Sequence, residues 1–153
     1  MKDQEITEEI IEEFGKSLQM LGFSSILGKA WMTLYLNGQK TQDELRKELG
    51  CGLSSISQAL TTLENLGLVY ISDKNGRKKI YRAESSFKTI RRNKMERLLH
   101  YYIEPVSKML DSRADQVSDK TIKEKIKNLK SEFSIAGTLM RTILRITGGK
   151  EER

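Results

Sequence analysis

The dipeptide Asn75-Gly76 lies between two runs rich in β-branched and aromatic residues, in a chain whose other apolar residues follow a helical period. Asn-Gly between two such runs is the strongest short-range signal for a β-hairpin. LVYIS precedes the turn and KIYRA follows it. Because only one proline occurs in 153 residues, long helices are favoured elsewhere and a loop-rich sandwich is disfavoured. The sequence therefore predicts a mostly α-helical fold with one two-stranded hairpin.

Apolar residues spaced three or four apart predict helices before the hairpin. Thr41 has the position of a helix N-cap, and Glu44, three residues later, is its partner in a capping box. The glycines of Gly50-Cys51-Gly52 then predict a turn. The predicted helices cover residues 4–21, residues 24–36, about two turns after Thr41, and residues 53–66.

The predicted helix over residues 53–66 has two different faces. Ile56, Leu60 and Leu63 lie on an apolar face, whereas the opposite face carries uncharged serine, threonine and glutamine side chains. Such a helix can pack on its own domain by the apolar face and place the polar face deep in the DNA major groove. Taken singly, a polar helix face is most often only a solvated surface.

The order of elements over residues 24–83 is that of a winged helix-turn-helix, in which the hairpin is the wing. We expect residues 53–66 to read base edges and the cationic wing, residues 73–79, to contact the DNA backbone or minor groove. The candidate DNA-binding residues are Thr41, Ser54, Ser55, Ser57, Gln58, Thr61, Thr62, Lys74, Arg77, Lys78 and Lys79.

Charge is distributed unevenly along the chain. The formal net charge is +6, but residues 1–23 carry −4, and the segments that follow are basic. A basic surface is expected of a nucleic-acid binder, although many helical proteins are mildly basic. The N-terminal segment is acidic and amphipathic, unlike a signal peptide, and no apolar run approaches the roughly 20 residues that span a bilayer. We expect a cytoplasmic protein without a membrane partner.

The C-terminal half predicts dimerisation helices. A broad apolar face runs through residues 85–117, where Pro105 should kink or divide the helix. The last helix alternates four- and three-residue apolar steps, typical of a coiled-coil seam, although the same seam could pack on its own chain. The terminal GGKEER is expected to fray. The candidate dimerisation residues are Ile6, Ile10, Leu98, Tyr102, Val106, Ile122, Ile126, Leu129, Phe133, Met140 and Ile143.

Residues 22–84 resemble the GbsR-like branch of the MarR family of bacterial and archaeal transcriptional regulators. The resemblance is carried by the pattern SxxSxxLxxLExxGLV, here SSISQALTTLENLGLV, and by the short basic wing. It implies a homodimer that reads a pseudo-palindrome in double-stranded DNA, with dimerisation through segments 1–23 and 85–153 and DNA binding through 24–84. We expect a repressor that occludes a promoter, and the sequence leaves open whether a small-molecule effector exists.

The resemblance assigns the recognition-helix and wing-tip positions residue by residue. This sequence departs from the family in one respect, since related proteins often place Arg or Lys near the middle of the recognition helix and this one has neither. Guanine readout from this helix is therefore not expected. The matched positions are Ser54, Ser55, Ser57, Gln58 and Thr62 on the helix, and Arg77 and Lys78 on the wing.

Two other functions remain open on the sequence. The winged domain could be a protein adaptor without specific DNA binding, and the two functions differ in salt dependence, which is steep only for phosphate contacts. RNA binding is less favoured, because the sequence lacks exposed stacking aromatics on a sheet. The chain has no nucleophile with a base, no phosphate-binding loop and no metal-ligand cluster. No catalytic residue, metal or cofactor is predicted.

A few further residues have alternative interpretations. Cys51 precedes the recognition helix and could sense oxidants, but the lack of a basic neighbour favours packing in the turn. His100, the single histidine, is assigned no role. Four aromatic residues could form a cage for a quaternary ammonium effector, although aromatic residues at helical spacing more often belong to the core. They are Trp31, Tyr35, Tyr101 and Tyr102.

Overall fold

The computed structural model describes residues 1–148 and divides the chain into two compact units, residues 1–87 and the residues from 88 onward. Apart from Gly148, the GGKEER tail lies outside the described residues. The first unit contains α1 (Lys2–Met20), α2 (Ser25–Asn37), β1 (Lys40–Thr41), α3 (Gln42–Leu49), α4 (Leu53–Asn65), β2 (Val69–Asn75) and β3 (Lys78–Ala83), and α5 (Phe87–Leu98) begins at its end. The second contains the rest of α5, α6 (Glu104–Arg113) and α7 (Lys120–Thr147).

The first unit is a winged helix-turn-helix, so the predicted fold class is confirmed. Its sheet is antiparallel in the order β1-β3-β2 and therefore has one strand more than the predicted hairpin. The added strand is only two residues long and pairs Lys40 with Tyr81 and Thr41 with Ile80. The core lies between α2, α3, α4 and the sheet, where Leu34, Leu45, Ile56, Leu60 and Leu63 are fully buried.

The predicted capping box starts α3. The Glu44 backbone N–H donates to Thr41 Oγ1 at 3.3 Å, and the Thr41 N–H donates to Glu44 Oε2 at 2.7 Å. The hydrogen bonds from Thr41 hold the pKa of Glu44 below its usual value. The helix ends at Gly50, whose φ of +61° is the left-handed conformation that glycine adopts without strain. These local interactions fix the turn between α3 and α4.

The turn of the wing lies one residue later than predicted. Asn75 is the last residue of β2 and pairs with Lys78, so the two turn residues are Gly76 and Arg77. Gly76 has φ +65°, as glycine does at the first position of a type II′ turn. A bulge between Ile71 and Asp73 supplies the extra residue that moves the register.

Helices α1 and α2 approach closely at a pair of glycines. A Cβ added to Gly28 would lie 2.6 Å from the Phe14 carbonyl oxygen and 3.1 Å from the Gly15 Cα. Both atoms belong to the backbone of α1, so neither can rotate away. Beside this crossing, Lys29 Nζ forms an ion pair with Glu12 Oε1 at 2.7 Å.

We expect Gly28→Ala to lower the free energy of unfolding by about 1–3 kcal/mol, because α1 must move to admit the methyl group. Urea denaturation followed by circular dichroism measures this. Gly137→Ala is the matched control, since the atoms nearest its added Cβ belong to side chains. An unchanged stability of Gly28→Ala would contradict the close crossing.

Pro105 interrupts the helical region of the second unit, as predicted, but the irregularity lies before it. Residues Leu99–Ile103 form a π-helical turn, and α6 then starts with proline in its first turn. Proline has no N–H, and its ring crowds the carbonyl of the residue four positions earlier, so a wider turn accommodates it. Of the described helices, none is long and apolar enough to cross a membrane.

Candidate nucleic-acid interface

Helix α4 presents the predicted polar face to solvent. Ile56, Ala59, Leu60 and Leu63 are buried on one side. Ser54, Ser55, Ser57, Gln58 and Thr61 are exposed on the rest of the surface, and Thr62 is half-buried at its border. Serine, threonine and glutamine can both donate and accept hydrogen bonds, so this surface can match base edges or phosphate oxygens.

A cleft of about 400 Å³ separates α4 from the wing. Ser57 and Thr61 lie on its helix side, and Arg77, Lys78 and Lys79 lie on its wing side. With Thr41, which also lines the cleft, the structure therefore brings six of the predicted residues together around one concave surface. Ser54, Ser55, Gln58, Thr62 and Lys74 are not part of the lining of the cleft.

The lining of the cleft includes residues that were not predicted from the sequence. Leu53, the first residue of α4, is 63% exposed and lines the cleft, as does Gln42 at the start of α3. An exposed leucine at this place can contact a thymine methyl group. The sequence carried no signal for this exposure, because Leu53 lies three residues before Ile56 and so continues the apolar period of the helix. Thr41 also lines the cleft, with its hydroxyl engaged in the capping box.

The wing places like charges opposite each other. Lys74 and Lys79 are directly paired across β2 and β3, and Arg77 and Lys78 lie at the adjacent turn, all exposed. Like charges in opposite positions of an antiparallel pair destabilise a hairpin. A bound polyanion would remove this repulsion, which makes the wing a candidate surface for phosphates.

Acidic residues beside the cleft are partly neutralised within the protein. Asp43 accepts from Arg46 at 3.0 Å and forms an ion pair with Lys47 at 2.8 Å. These two cations hold the pKa of Asp43 below its usual value, the hydrogen bond from Lys47 having the largest effect. Glu64 also lines the cleft. The wing-side cations thus remain the dominant charges available to a ligand.

The candidate dimerisation residues are placed in two environments. The half-buried ones are Val106, Ile126, Phe133 and Met140. The exposed ones are Ile6, Ile10, Leu98, Tyr102, Ile122, Leu129 and Ile143. The structure also exposes a stripe on α7 that the sequence analysis did not select, consisting of Ile135, Leu139, Ile143 and Ile146; of these only Ile143 was predicted.

Of the four aromatic residues considered as a cage, Trp31 and Tyr35 pack within the first unit, whereas Tyr101 and Tyr102 are exposed in the second. Trp31 lies edge-to-face on Phe14 with ring centroids 6.0 Å apart, and Tyr35 contacts Phe87 at 5.2 Å. Cys51 is half-buried in the turn before α4. His100 lies 3.3 Å from Glu104 on the exposed surface of the second unit. None of these residues borders the cleft.

Comparison with known proteins finds a family profile that matches most of the first unit and a solved structure with a similar fold. Residues 18–85 match the profile of a family described as sugar-specific transcriptional regulator TrmB. The whole fold is similar to the crystal structure of a transcriptional regulator, with a TM-score of 0.73 and 14% identity over 94% of this chain and 99% of that chain. A MarR family regulator from Neisseria meningitidis gives a TM-score of 0.42 and 17% identity over 94% and 95%. No curated protein matched the sequence.

The matching family profile is TrmB rather than the predicted GbsR-like branch. The profile match includes the whole of the helix-turn-helix, the cleft and the wing. The matching profile describes a transcriptional regulator, and the similar solved structure has the same fold. Residues 18–85 are therefore similar to a TrmB-type regulator domain, a match to 68 of the 153 residues, and this similarity supports a DNA-binding transcriptional regulator.

Proposed function

We propose that the protein binds double-stranded DNA in a sequence-specific manner, with α4 in the major groove and the wing on the neighbouring backbone. The observation that carries this proposal is the uncharged, hydrogen-bonding face of α4 beside a cleft with cations on its far wall. Base reading needs short polar groups, whereas backbone contact needs cations. The structure supplies the two kinds of group on adjacent elements.

The N-terminus of α4 adds a second phosphate-binding feature. Its N-cap is Gly52, so no side chain accepts a hydrogen bond from the first N–H groups of the helix. The first turn also carries no acidic residue. Free N–H groups and the positive end of the helix dipole attract a phosphate. This end of α4 would therefore position the helix in the groove without contributing to sequence preference.

We further propose that the active form is a homodimer that binds a pseudo-palindromic operator and represses by occluding a promoter. The exposed apolar stripe on α7 supports a second copy as partner, because such a continuous surface is unfavourable in water. Two winged domains related by a two-fold axis would read two half-sites. The GbsR-like assignment belongs to this proposal and rests on the pattern within residues 54–69.

Fluorescence anisotropy against the DNA upstream of the protein's own gene tests the proposal. A scrambled duplex of equal length is the control, and salt is varied from about 50 to 300 mM. We expect tighter binding to the upstream DNA and a steep fall of affinity with salt. Equal affinity for the two duplexes would contradict operator recognition there, and weak salt dependence would favour the protein adaptor.

Gln58→Ala should reduce affinity by about 1–3 kcal/mol at one base position and relax the preference there. The reason is that a glutamine amide can pair with both N6 and N7 of adenine, which alanine cannot do. Binding to a panel of operators with single base-pair changes measures the effect. Gln19 is an exposed glutamine of α1, and Gln19→Ala is the control. An equal loss on every operator would mean that Gln58 does not read a base.

A further inference from the structure

A second cleft, of about 420 Å³, lies wholly within the second unit between α6 and α7. Its size is within the range of small-molecule sites. Ile103 and Phe133 form an apolar part, and Ser107 and Ser134 contribute hydroxyl groups. An apolar wall with a few polar groups is the usual composition of a site for a small organic molecule.

The charged residues of this cleft leave positive charge without a partner. Asp111 is paired with Lys130 at 2.7 Å, and Glu104 lies 3.3 Å from His100. Within residues 1–148, Arg141 and Lys108 form no salt bridge. Both of these cations line the cleft. Asp111 is thus engaged by Lys130, while the guanidinium and the ammonium form no salt bridge with a described residue, so the three cations of the lining outnumber its two carboxylates.

Gly137 explains how the guanidinium of Arg141 reaches this place. A Cβ added to Gly137 would lie 2.9 Å from Arg141 Nη2 and 3.3 Å from the Ile103 Cγ2. The guanidinium therefore folds back over the glycine, one turn earlier in α7, and lies beside Ile103. Glycine is unfavourable inside a helix, so its occurrence in the middle of α7 usually has a packing or functional reason. Here the missing side chain makes room for the cation.

We propose that the cleft between α6 and α7 binds a small organic anion, whose carboxylate or phosphate pairs with Arg141 and whose apolar body lies against Phe133 and Ile103. A guanidinium offers two parallel N–H donors that match the oxygens of either group. Ser107, Ser134 and Lys108 supply further donors at the rim. This site is separate from the DNA-binding residues, all of which lie in the first unit.

Amide chemical shifts of the isotope-labelled full chain, measured by NMR, test the proposal. Benzoate and phenyl phosphate share one apolar body and differ in the anionic group, and benzyl alcohol is the uncharged control. We expect at least one of the anions to shift the amides of Ser107, Ser134 and Gly137 saturably, with no effect of the alcohol. The anion with the lower dissociation constant shows whether the site prefers a carboxylate or a phosphate. No saturable shift with either anion would overturn the proposal, as would an equal response to the alcohol.

Three variants separate the site from general anion binding. Arg141→Gln should raise the dissociation constant at least about tenfold, because hydrogen bonds to charged groups are the strong ones. Gly137→Ala should weaken binding by a smaller factor while the helix keeps its stability, since its methyl group displaces the end of the Arg141 side chain and requires Ile103 to shift by only a few tenths of an ångström. Arg145 is an exposed arginine outside the cleft, so the variant Arg145→Gln should bind the anion as tightly as the unchanged protein does. Unaltered binding by Arg141→Gln would overturn the assignment. These titrations do not involve DNA, so a negative result would overturn the anion site without contradicting the proposed DNA-binding function.

Discussion

Replacing the four wing cations Lys74, Arg77, Lys78 and Lys79 with glutamine is expected to flatten the salt dependence of DNA binding. Each phosphate contact releases counterions and contributes about 0.9 to the slope of log affinity against log salt. Loss of four contacts should therefore lower the slope by about 3 to 4. The affinity should fall on every DNA sequence, because the wing contacts phosphates, which are the same on every sequence. Anisotropy titrations at several salt concentrations measure both effects.

A variant with the same change in net charge provides the control. Lys120, Lys123, Lys125 and Lys127 are exposed on α7 in the other unit and can also be replaced with glutamine. If the wing contacts the DNA backbone, the slope of log affinity against log salt should change much more in the wing variant than in this control. A similar loss in both variants would mean that total charge, and not the wing, accounts for the attraction.

The stability of the wing provides an independent check. Because Lys74 and Lys79 are opposite each other, Lys79→Gln removes a repulsion and should leave the melting temperature unchanged or slightly raised. The same variant should still bind DNA more weakly. Weaker binding together with unchanged or higher stability distinguishes a functional cation from a structural one, since loss of a structural group lowers both.

Most of the first unit could be predicted because its signals are local. The capping box of Thr41 and Glu44 sets the start of α3, and Gly50 ends it. Strand β1 could not be predicted, since two residues carry no period and the strand forms only by pairing with β3. The predicted position of the wing turn was wrong by one residue for a related reason. The Asn-Gly signal indicates a turn, but the bulge near Ser72 sets the register.

The candidate site, like the fold, could be predicted only where its signals are local in the sequence. Composition and period identified the polar residues of α4 and the cations of the wing, because both are continuous in sequence. The cleft between them is a tertiary feature, so the inclusion of Leu53 and Gln42 could not be read from either segment alone. On α7 the apolar residues form two adjacent stripes. Only the packing of α6 and the π-helical turn shows that Phe133 and Met140 are half-buried while Leu139 is exposed.

Leu139→Asp is expected to convert the proposed dimer into a monomer. Leu139 is 58% exposed at the centre of the α7 stripe, so a charge there costs the isolated chain little but would be buried without a partner at an interface. Light scattering coupled to size-exclusion chromatography gives the mass. Affinity for a full operator should fall at least about 100-fold, since a monomer loses the second, linked half-site. Affinity for a single half-site should stay the same.

Thr138→Asp introduces the same charge at the neighbouring exposed residue, about 100° around the helix from Leu139. It should remain dimeric and bind the full operator normally if the stripe forms the interface. Should Leu139→Asp also stay dimeric, the stripe is not the contact, and the exposed N-terminal residues Ile6 and Ile10 become the next positions to test. The half-site result then separates assembly from recognition, because only the loss of α4 or wing contacts can weaken binding to one half-site.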